Sequence, residues 1–493
     1  MKRRSFLKTV GGGVAAALAP GCTTETVQQK APAASRPNIL WLISEDTSPD
    51  FACYGTAGVR TPNLDKLASE GARYTNAFAT SPVCSASRSA FMTGMYQTSI
   101  GAHHHRSHRE DGYAPPDPVD VITKYFRLAG YYTSNAAGLT YKKLGKTDWN
   151  FTPKTNPFNG TDWSGRKGGQ PFFAQLNFNL THRPFKRDKR NPIDPATVEL
   201  PPYYPDHPLA RRDWADYLES IQLLDTQIGV ALTWLEKEGL ADNTIVMYFG
   251  DHGRPHVRGK QWLYEGGIRI PMIVRWPGKI EPGTVVDDLI STVDFAPTFL
   301  HAAGIQPPEH LQGHPFLGPE CRTRKYVFAA RDRCGGTVDR IRCVRSQRYK
   351  YIRNYYPKKP YTQFSGYKRL QYPVLTLMQI LHKQDLLTPE QARFMAATRP
   401  AEEFYDLKQD PFELRNLAEG GEFEKVLKEH SGKLDEWIKA TGDQGDRPEP
   451  ADVVDQAERS STEWYQKQME QRGLSPHISD EDYLRWWQEK LLG

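Results

Sequence analysis

The stretch "RPNILWLISED", residues 36–46, decides the architecture. Its short apolar run, Asn38 to Ile43, ends abruptly in Glu45 and Asp46. A strand covered on both faces reads as a continuous hydrophobic run, and a parallel sheet delivers polar groups to the carboxyl ends of its strands. A site is expected there. Downstream, "TPNLDKLASEGARYTNAF" (61–78) offers Thr61 as a helix cap, apolar residues at helical spacing, Gly71 as a stop and then a second short strand. This β-α-β rhythm continues through "ITKYFRLAGYYTSNAAG" (122–138), "PFFAQLNFNLTH" (171–182), "SIQLLDTQIGVALTWLEKEGLADNTIVMYFGDHG" (220–253) and "IPMIVRWPG" (270–278). Such alternation predicts an α/β fold with a large, mostly parallel sheet sandwiched by helices.

From about residue 326 the pattern changes. "KYVFAARDRCGGTVDRIRCVRSQRYKYIRNYYP" (325–357) reads as short antiparallel strands, and "AEEFYDLKQDPFELRNLA" (401–418) as a strand, a turn and a helix start. The expected organisation is a catalytic domain over 36–325, a smaller C-terminal α+β subdomain with an antiparallel sheet over 326–440, and a charged, Trp-rich helical tail over 441–493.

The first 22 residues, "MKRRSFLKTVGGGVAAALAPGC", combine paired arginines, a short apolar Gly/Ala-rich run and a small-residue end. They read as an export signal, with "RRSFLK" resembling the twin-arginine type that carries folded proteins. "LAPGC" has the outline of a lipoprotein cleavage site at Cys22, which would add a lipid anchor. The polar, Ala/Pro-rich residues 23–35 read as a flexible tether. The expected address is the periplasm or cell surface of a bacterium. Lys2, Arg3, Arg4 and Lys8 carry much of the +6 formal charge. Without them the chain is near neutral, at about +2, and a nucleic-acid partner is not expected. No apolar run is long enough for a stable membrane anchor. The six cysteines (22, 53, 84, 321, 334 and 343) are too few and scattered for a disulfide scaffold, and none has zinc-site spacing.

Three strand ends carry the chemistry: "SED" (44–46), "NLTH" (179–182) and "FGDHG" (249–253). Glu45, Asp46 and Asp251 would converge at the carboxyl edge of one sheet, and like-charged carboxylates crowd together when a cation offsets their repulsion. Oxygen-rich ligation points to calcium or magnesium, with calcium favoured for bidentate carboxylates. His252 could bind either the metal or a substrate oxygen. Arg88, Lys146, His182 and Lys260 form a complementary basic set that suits a tetrahedral oxyanion, with His182 able to protonate a leaving alcohol.

"CSASR" at 84–88, followed by "SAFMTG", resembles the formylglycine signature of the type I sulfatases of the alkaline phosphatase superfamily. The likeness extends to "PNILWLISED", "TPNLDKLASEGARYTNAF", "FGDHGRPHVRGKQWLYEGGIRIPMIVRWPG" and "FYDLKQDPFELRNLA", in that order, and is similar to bacterial glycan sulfatases related to N-sulfoglucosamine sulfohydrolase and iduronate-2-sulfatase. The resemblance implies that a maturation enzyme oxidises Cys84 to formylglycine, whose hydrate attacks sulfur. It further implies that Glu45, Asp46, Asp251 and His252 hold calcium together with residue 84. Arg88 and Lys146 would steady the diol and sulfate, and His182 and Lys260 would face the leaving group. The implied substrate is a sulfated mono-, oligo- or polysaccharide.

Two departures stand out. Glu45 replaces the usual aspartate, and "GLTYKKLGKTDWNF" (138–151) has Asp148 where the family often has histidine. Lys146 is the preferred match to the family lysine, with Lys142 and Lys143 as competitors. The run His103, His104, His105 and His108 has three readings: a transition-metal tract, an exposed polar loop, or, through His104 and His105, part of the substrate pocket. "ARDRCGGTVDRIR" offers Asp332, Arg333, Asp339 and Arg340 as a salt-bridged strand pair or as groups that read sugar hydroxyls. Competing functions are a formylglycine-dependent phosphonate monoester hydrolase or phosphodiesterase, and a catalytically idle carbohydrate-binding relative.

Overall fold

The computed structural model describes residues 36–493. The signal-like segment, the tether and Cys22 lie outside the described residues. "NILWLIS" forms strand β1 (Asn38–Ser44), buried at every position. Because side chains alternate across a strand, Leu40 and Leu42 join one apolar core while Ile39, Trp41 and Ile43 join another on the opposite face. The continuous hydrophobic run is the signature of that two-sided burial.

Strands β2 (Ala72–Phe78), β3 (Tyr132–Ala137), β4 (Thr140–Leu144), β5 (Phe172–Phe178), β6 (Thr244–Gly250), β7 (Arg269–Arg275) and β8 (Thr284–Ser291) complete an eight-stranded sheet. Its order is β4-β3-β5-β1-β6-β7-β2-β8. The four central strands β3, β5, β1 and β6 run parallel, as do β2 and β8. Strand β7 runs antiparallel to both β6 and β2. A parallel return would need a packed crossover helix. Residues 251–268 instead form a loop ending in the single turn Glu265–Ile268, so the chain comes back down beside β6.

Helix α1 (Pro62–Ser69) starts with Pro62 behind Thr61, and its stripe of Leu64, Leu67 and Ala68 is buried. Helix α2 (Cys84–Thr93) is buried along its entire length. After α3 (Ile122–Leu128), the 30-residue α4 (Pro208–Lys237) covers the Leu40 face of the sheet. On the other face Trp41 meets Phe91, Phe173, Phe249, Phe295 and Phe299 edge-on, with ring centroids 5.0–6.1 Å away. Edge-to-face geometry is the favoured packing for such rings.

A second, antiparallel sheet contains β9 (Val327–Arg331), β10 (Ile341–Arg345), β11 (Tyr349–Asn354) and β12 (Glu402–Asp406), in the order β12-β11-β10-β9. The expected α/β class with a smaller antiparallel sheet is therefore correct. The expected helix start within residues 411–418 is not there; the next helix begins at Glu424. Asn416 explains the difference, because its side-chain oxygen accepts from the Phe404 and Ala418 backbone N–H groups and pins the segment along β12. Asn side chains commonly compete with helical bonding in this way. Among the described residues, Cys53, Cys84, Cys321, Cys334 and Cys343 are all free thiols.

Candidate active site

The carboxyl ends of three parallel strands meet the N-terminus of α2. Asp46 follows β1 in a left-handed backbone conformation, φ 52°, and its N–H donates to Asp251 Oδ1 at 2.9 Å. Asp251 and His252 follow β6, whose last residue, Gly250, has no room for a side chain: a Cβ would stand 2.6 Å from the Thr47 carbonyl oxygen. Cys84 opens α2, so its side chain sits at the helix end where backbone N–H groups and the macrodipole favour negative charge.

These elements bring one donor atom each from Asp46, Cys84, Asp251 and His252 within 4.8 Å of one another. Cys84 Sγ lies 3.2 Å from His252 Nε2 and 3.8 Å from Asp46 Oδ1. His252 Nδ1 donates to the Gly253 carbonyl at 2.9 Å, which aims Nε2 inward. Glu45 belongs to a neighbouring group with Asp46 and His182 rather than to this set of four. The longer side chain turns to Lys146, with Nζ 2.7 Å from Oε2.

The basic residues surround this ring. Arg88, 1% exposed, donates from Nε to Asp251 at 2.9 Å and from Nη1 to Asn177 Oδ1 at 2.7 Å. Lys260 Nζ lies 2.7 and 3.0 Å from the Asp46 carboxylate oxygens and 3.5 Å from Cys84 Sγ. His182 Nδ1 donates to the Arg183 carbonyl at 2.8 Å, leaving Nε2 3.9 Å from Asp46. Lys142 and Lys143 lie exposed on edge strand β4. Lys146 is delivered by Gly145, where a Cβ would collide with Ala136 O and Asn135 Oδ1 at 2.4 Å. The lysine is thereby set close against β3.

Burial opposes ionisation of Cys84, Asp46 and Asp251, and the cations outweigh it. Burial pushes the Cys84 thiol up, but Lys146, Lys260 and His252 bring it down to about 7. Asp46 is held well below the usual carboxylate range because Lys260, His182 and His252 overcome its desolvation. Burial disfavours the charged form of His252, yet Asp251, Cys84 and Asp46 raise it to about 10. Two buried carboxylates, an imidazole and the residue-84 side chain form a donor set that fits a divalent cation.

The histidine run is neither an exposed loop nor a metal group among the described residues. His103 is buried, with neither ring nitrogen partnered. His104 Nδ1 accepts from the Arg333 N–H at 3.3 Å and lies 3.4 Å from Glu449. His105 forms a bridge with Cys334. Burial lowers all three rings, His104 to about 2. Asp332 pairs with Arg342 at 3.1 Å, Arg333 with Glu449, and Asp339 with Arg331 and Arg399. Arg340 covers the Tyr355 ring.

Several groups were not singled out in the sequence. Asn177 holds Arg88 and donates to Asn135, which in turn holds the Gly145 carbonyl. The period-2 pattern of β5 carried a signal: Gln175 and Asn177 are polar on the face that Phe173 shares with Trp41. Tyr367, from the C-terminal half of the chain, lies under Lys260 with the ammonium 5.2 Å from its ring. No local pattern announces that approach.

A sulfatase profile matches residues 37–305, and the C-terminal profile of N-sulphoglucosamine sulphohydrolase matches residues 250–368. An ulvan-active sulfatase of Formosa agariphila is 37% identical over 462 residues, covering 84% of this chain and 76% of that protein. Human N-acetylgalactosamine-6-sulfatase is 28% identical over 332 residues, covering 55% of this chain and 63% of that protein. Among solved structures, one in complex with its substrate D-glucosamine-2-N,6-O-disulfate superposes with a TM-score of 0.59 at 19% identity, covering 84% of this chain and 100% of that chain. A phosphonate monoester hydrolase from Silicibacter pomeroyi reaches 0.60 at 18% identity, covering 83% and 96%. Fold likeness therefore does not separate sulfate from phosphonate chemistry, and the sequence relatives named above are sulfatases. The chain belongs to the sulfatase family, whose members are sulfuric ester hydrolases of the alkaline phosphatase superfamily.

Proposed function

We propose that this protein hydrolyses sulfate esters or sulfamates of a sulfated carbohydrate, using Cys84 after its conversion to formylglycine and a calcium ion held by Asp46, Asp251, His252 and residue 84. The observation that carries this reading is the position of Cys84 Sγ, at a helix N-terminus inside the Asp46–Asp251–His252 group and 3.5 Å from Lys260. The names of the relatives, which act on ulvan and on amino-sugar sulfates, support a glycan substrate.

When present, the cation supplies positive charge to sulfate oxygens, and the aldehyde hydrate at residue 84 supplies the attacking hydroxyl. The chain's own residues do the rest. Arg88 is fixed by Asp251 and Asn177, so it orients residue 84 without needing to move. Lys146 and Lys260 flank that residue and offset charge on the sulfate oxygens. His182, anchored through Nδ1, presents Nε2 for protonating the leaving oxygen. Glu45 acts through Lys146, positioning its ammonium. His104, His105, Asp332 and Arg333 are the proposed sugar-contacting groups, with Asp332 and Arg333 held in place by Arg342 and Glu449.

The signal-like residues 1–22 support export to the periplasm or cell surface, with a lipid anchor at Cys22 as a further element. A formylglycine-generating enzyme is the required maturation partner. The test is expression with and without that enzyme. The Cys84 peptide should lose about 18 Da on conversion of thiol to aldehyde, and turnover of an aryl sulfate should track the converted fraction. A strong preference for an aryl phosphate diester would favour the phosphonate hydrolase alternative. An unmodified thiol despite a competent maturation enzyme would remove the mechanism.

A further inference from the structure

A cavity of about 700 Å³ opens beside Lys146, walled by Arg106, His108, Arg109, Asp148 and Trp149 together with the 151–161 segment. Its size lies within the range of small-molecule sites. Lys146 belongs to both places: its Nζ lies against Glu45 at the reaction centre, and its residue lines the cavity. The two spaces therefore adjoin.

The charge on this wall is unbalanced. Asp148, with its side chain only 5% exposed, takes both Arg106 Nε and Nη2, at 2.9 and 2.8 Å. The same carboxylate accepts from Arg109 Nη2 at 3.1 Å and lies 3.6 Å from Lys146 Nζ. One carboxylate thus serves two arginines and shares Lys146 with Glu45. Arg106 Nη1 has no protein partner among the described residues, and Arg109 is half exposed. An arginine whose fork is held on one side is pre-organised to take a planar or tetrahedral oxyanion on the other.

The backbone shows that this geometry is imposed. Arg106 and Asp148 both adopt left-handed conformations, φ 61° and 49°, which side chains other than glycine rarely adopt. Arg106 N–H is held by Ser85 Oγ at 3.1 Å, one residue from Cys84. Two strained residues meet each other and tie the cavity wall to the start of α2. Strain of this kind persists where the surroundings enforce it, and it concentrates at ligand clamps.

We infer that this cavity holds the sugar unit next to the one bearing the scissile sulfate, and that Arg106 and Arg109 read an oxyanion on it, either a carboxylate or a second sulfate. Asp148 is the positioning residue that aims them. The inference rests on the sulfatase reading of the residue-84 site, since the adjoining unit is defined relative to it.

The test measures binding on the full chain carrying Cys84→Ala, which cannot turn over. The probes are sulfated oligosaccharides whose neighbouring unit is neutral, carries a carboxylate or carries a sulfate. Arg106→Gln should weaken binding of the anionic-neighbour probes by about 10- to 100-fold, the loss expected for one charge-assisted pair, with a much smaller change for the neutral-neighbour probe. The probe that loses more affinity identifies the source as carboxylate or sulfate. Arg109→Gln, at a half-exposed position that cannot collapse the fold, should show the same selectivity at smaller size. Equal weakening for all three probes, or none, in both variants would overturn the inference. Failure of the mature wild-type chain to turn over any sulfate would instead count against the reaction proposed for residue 84, and the binding series reads independently of it.

Discussion

Replacing Lys146 with alanine tests the reaction centre most directly. Two unit charges about 4 Å apart at an effective dielectric of about 20 interact by roughly 4 kcal/mol. Lys146 does not offer its full charge, because Glu45 Oε2 at 2.7 Å and Asp148 at 3.6 Å already share it. About 3 kcal/mol therefore remains for the transition state, or roughly 100-fold in rate, at the lower end of losses seen on removing one oxyanion donor. Exposed Lys142 and Lys143 should change kcat/KM by less than about twofold when replaced, as surface groups distant from the chemistry. The assay is steady-state hydrolysis of an aryl sulfate by protein whose residue-84 conversion is quantified by mass. Thermal unfolding serves as a control, because Lys146→Ala also leaves buried Glu45 unpaired. Near-normal turnover in Lys146→Ala, with loss in Lys142→Ala or Lys143→Ala, would refute the assignment.

Three further outcomes are expected. Trp41→Ala should lower stability by about 3–5 kcal/mol in urea unfolding, because it empties a fully buried site ringed by five phenylalanines, and Trp41→Phe should cost less; equal losses would count against the packing account. Burial, with help from Arg183 and against Asp213, holds His256 down to about 4. The unfolded chain takes that proton near pH 6.5, so stability should fall by about 3 kcal/mol as pH drops from 6.5 to 4; an unchanged pH slope in His256→Phe would remove His256 as the cause. Finally, chelation should lower both activity and melting temperature, with calcium restoring them by mass action, and Asp251→Asn should blunt the melting shift; an unaltered shift would move the cation elsewhere.

Much of the fold was legible because its cause is local. The unbroken hydrophobic run of β1 and the acids that end it announce a doubly covered parallel strand with chemistry at its carboxyl end. What was not legible follows from contacts distant in sequence. Strand β7 turns antiparallel because residues 251–268 are spent on a loop around the site. The exposed-loop reading of the histidine run fails because residues 331–334 and Glu449 pack against it. Lys146, Lys142 and Lys143 are chemically equivalent in the sequence, and only the close approach of Gly145 to β3 turns one of them inward.

By itself the sequence determined the class of fold, the strand ends that carry acids and bases, and the family signature around Cys84, because each is written in residues adjacent along the chain. Tertiary structure alone decided which charges neutralise which. Glu45 pairs with Lys146 rather than joining the group of four, Asn177 braces Arg88, and Asp148 gathers Arg106, Arg109 and Lys146. Electrostatic partnership depends on distances of a few ångströms inside a medium of low polarity. Such distances are set by packing between segments that lie tens to hundreds of residues apart.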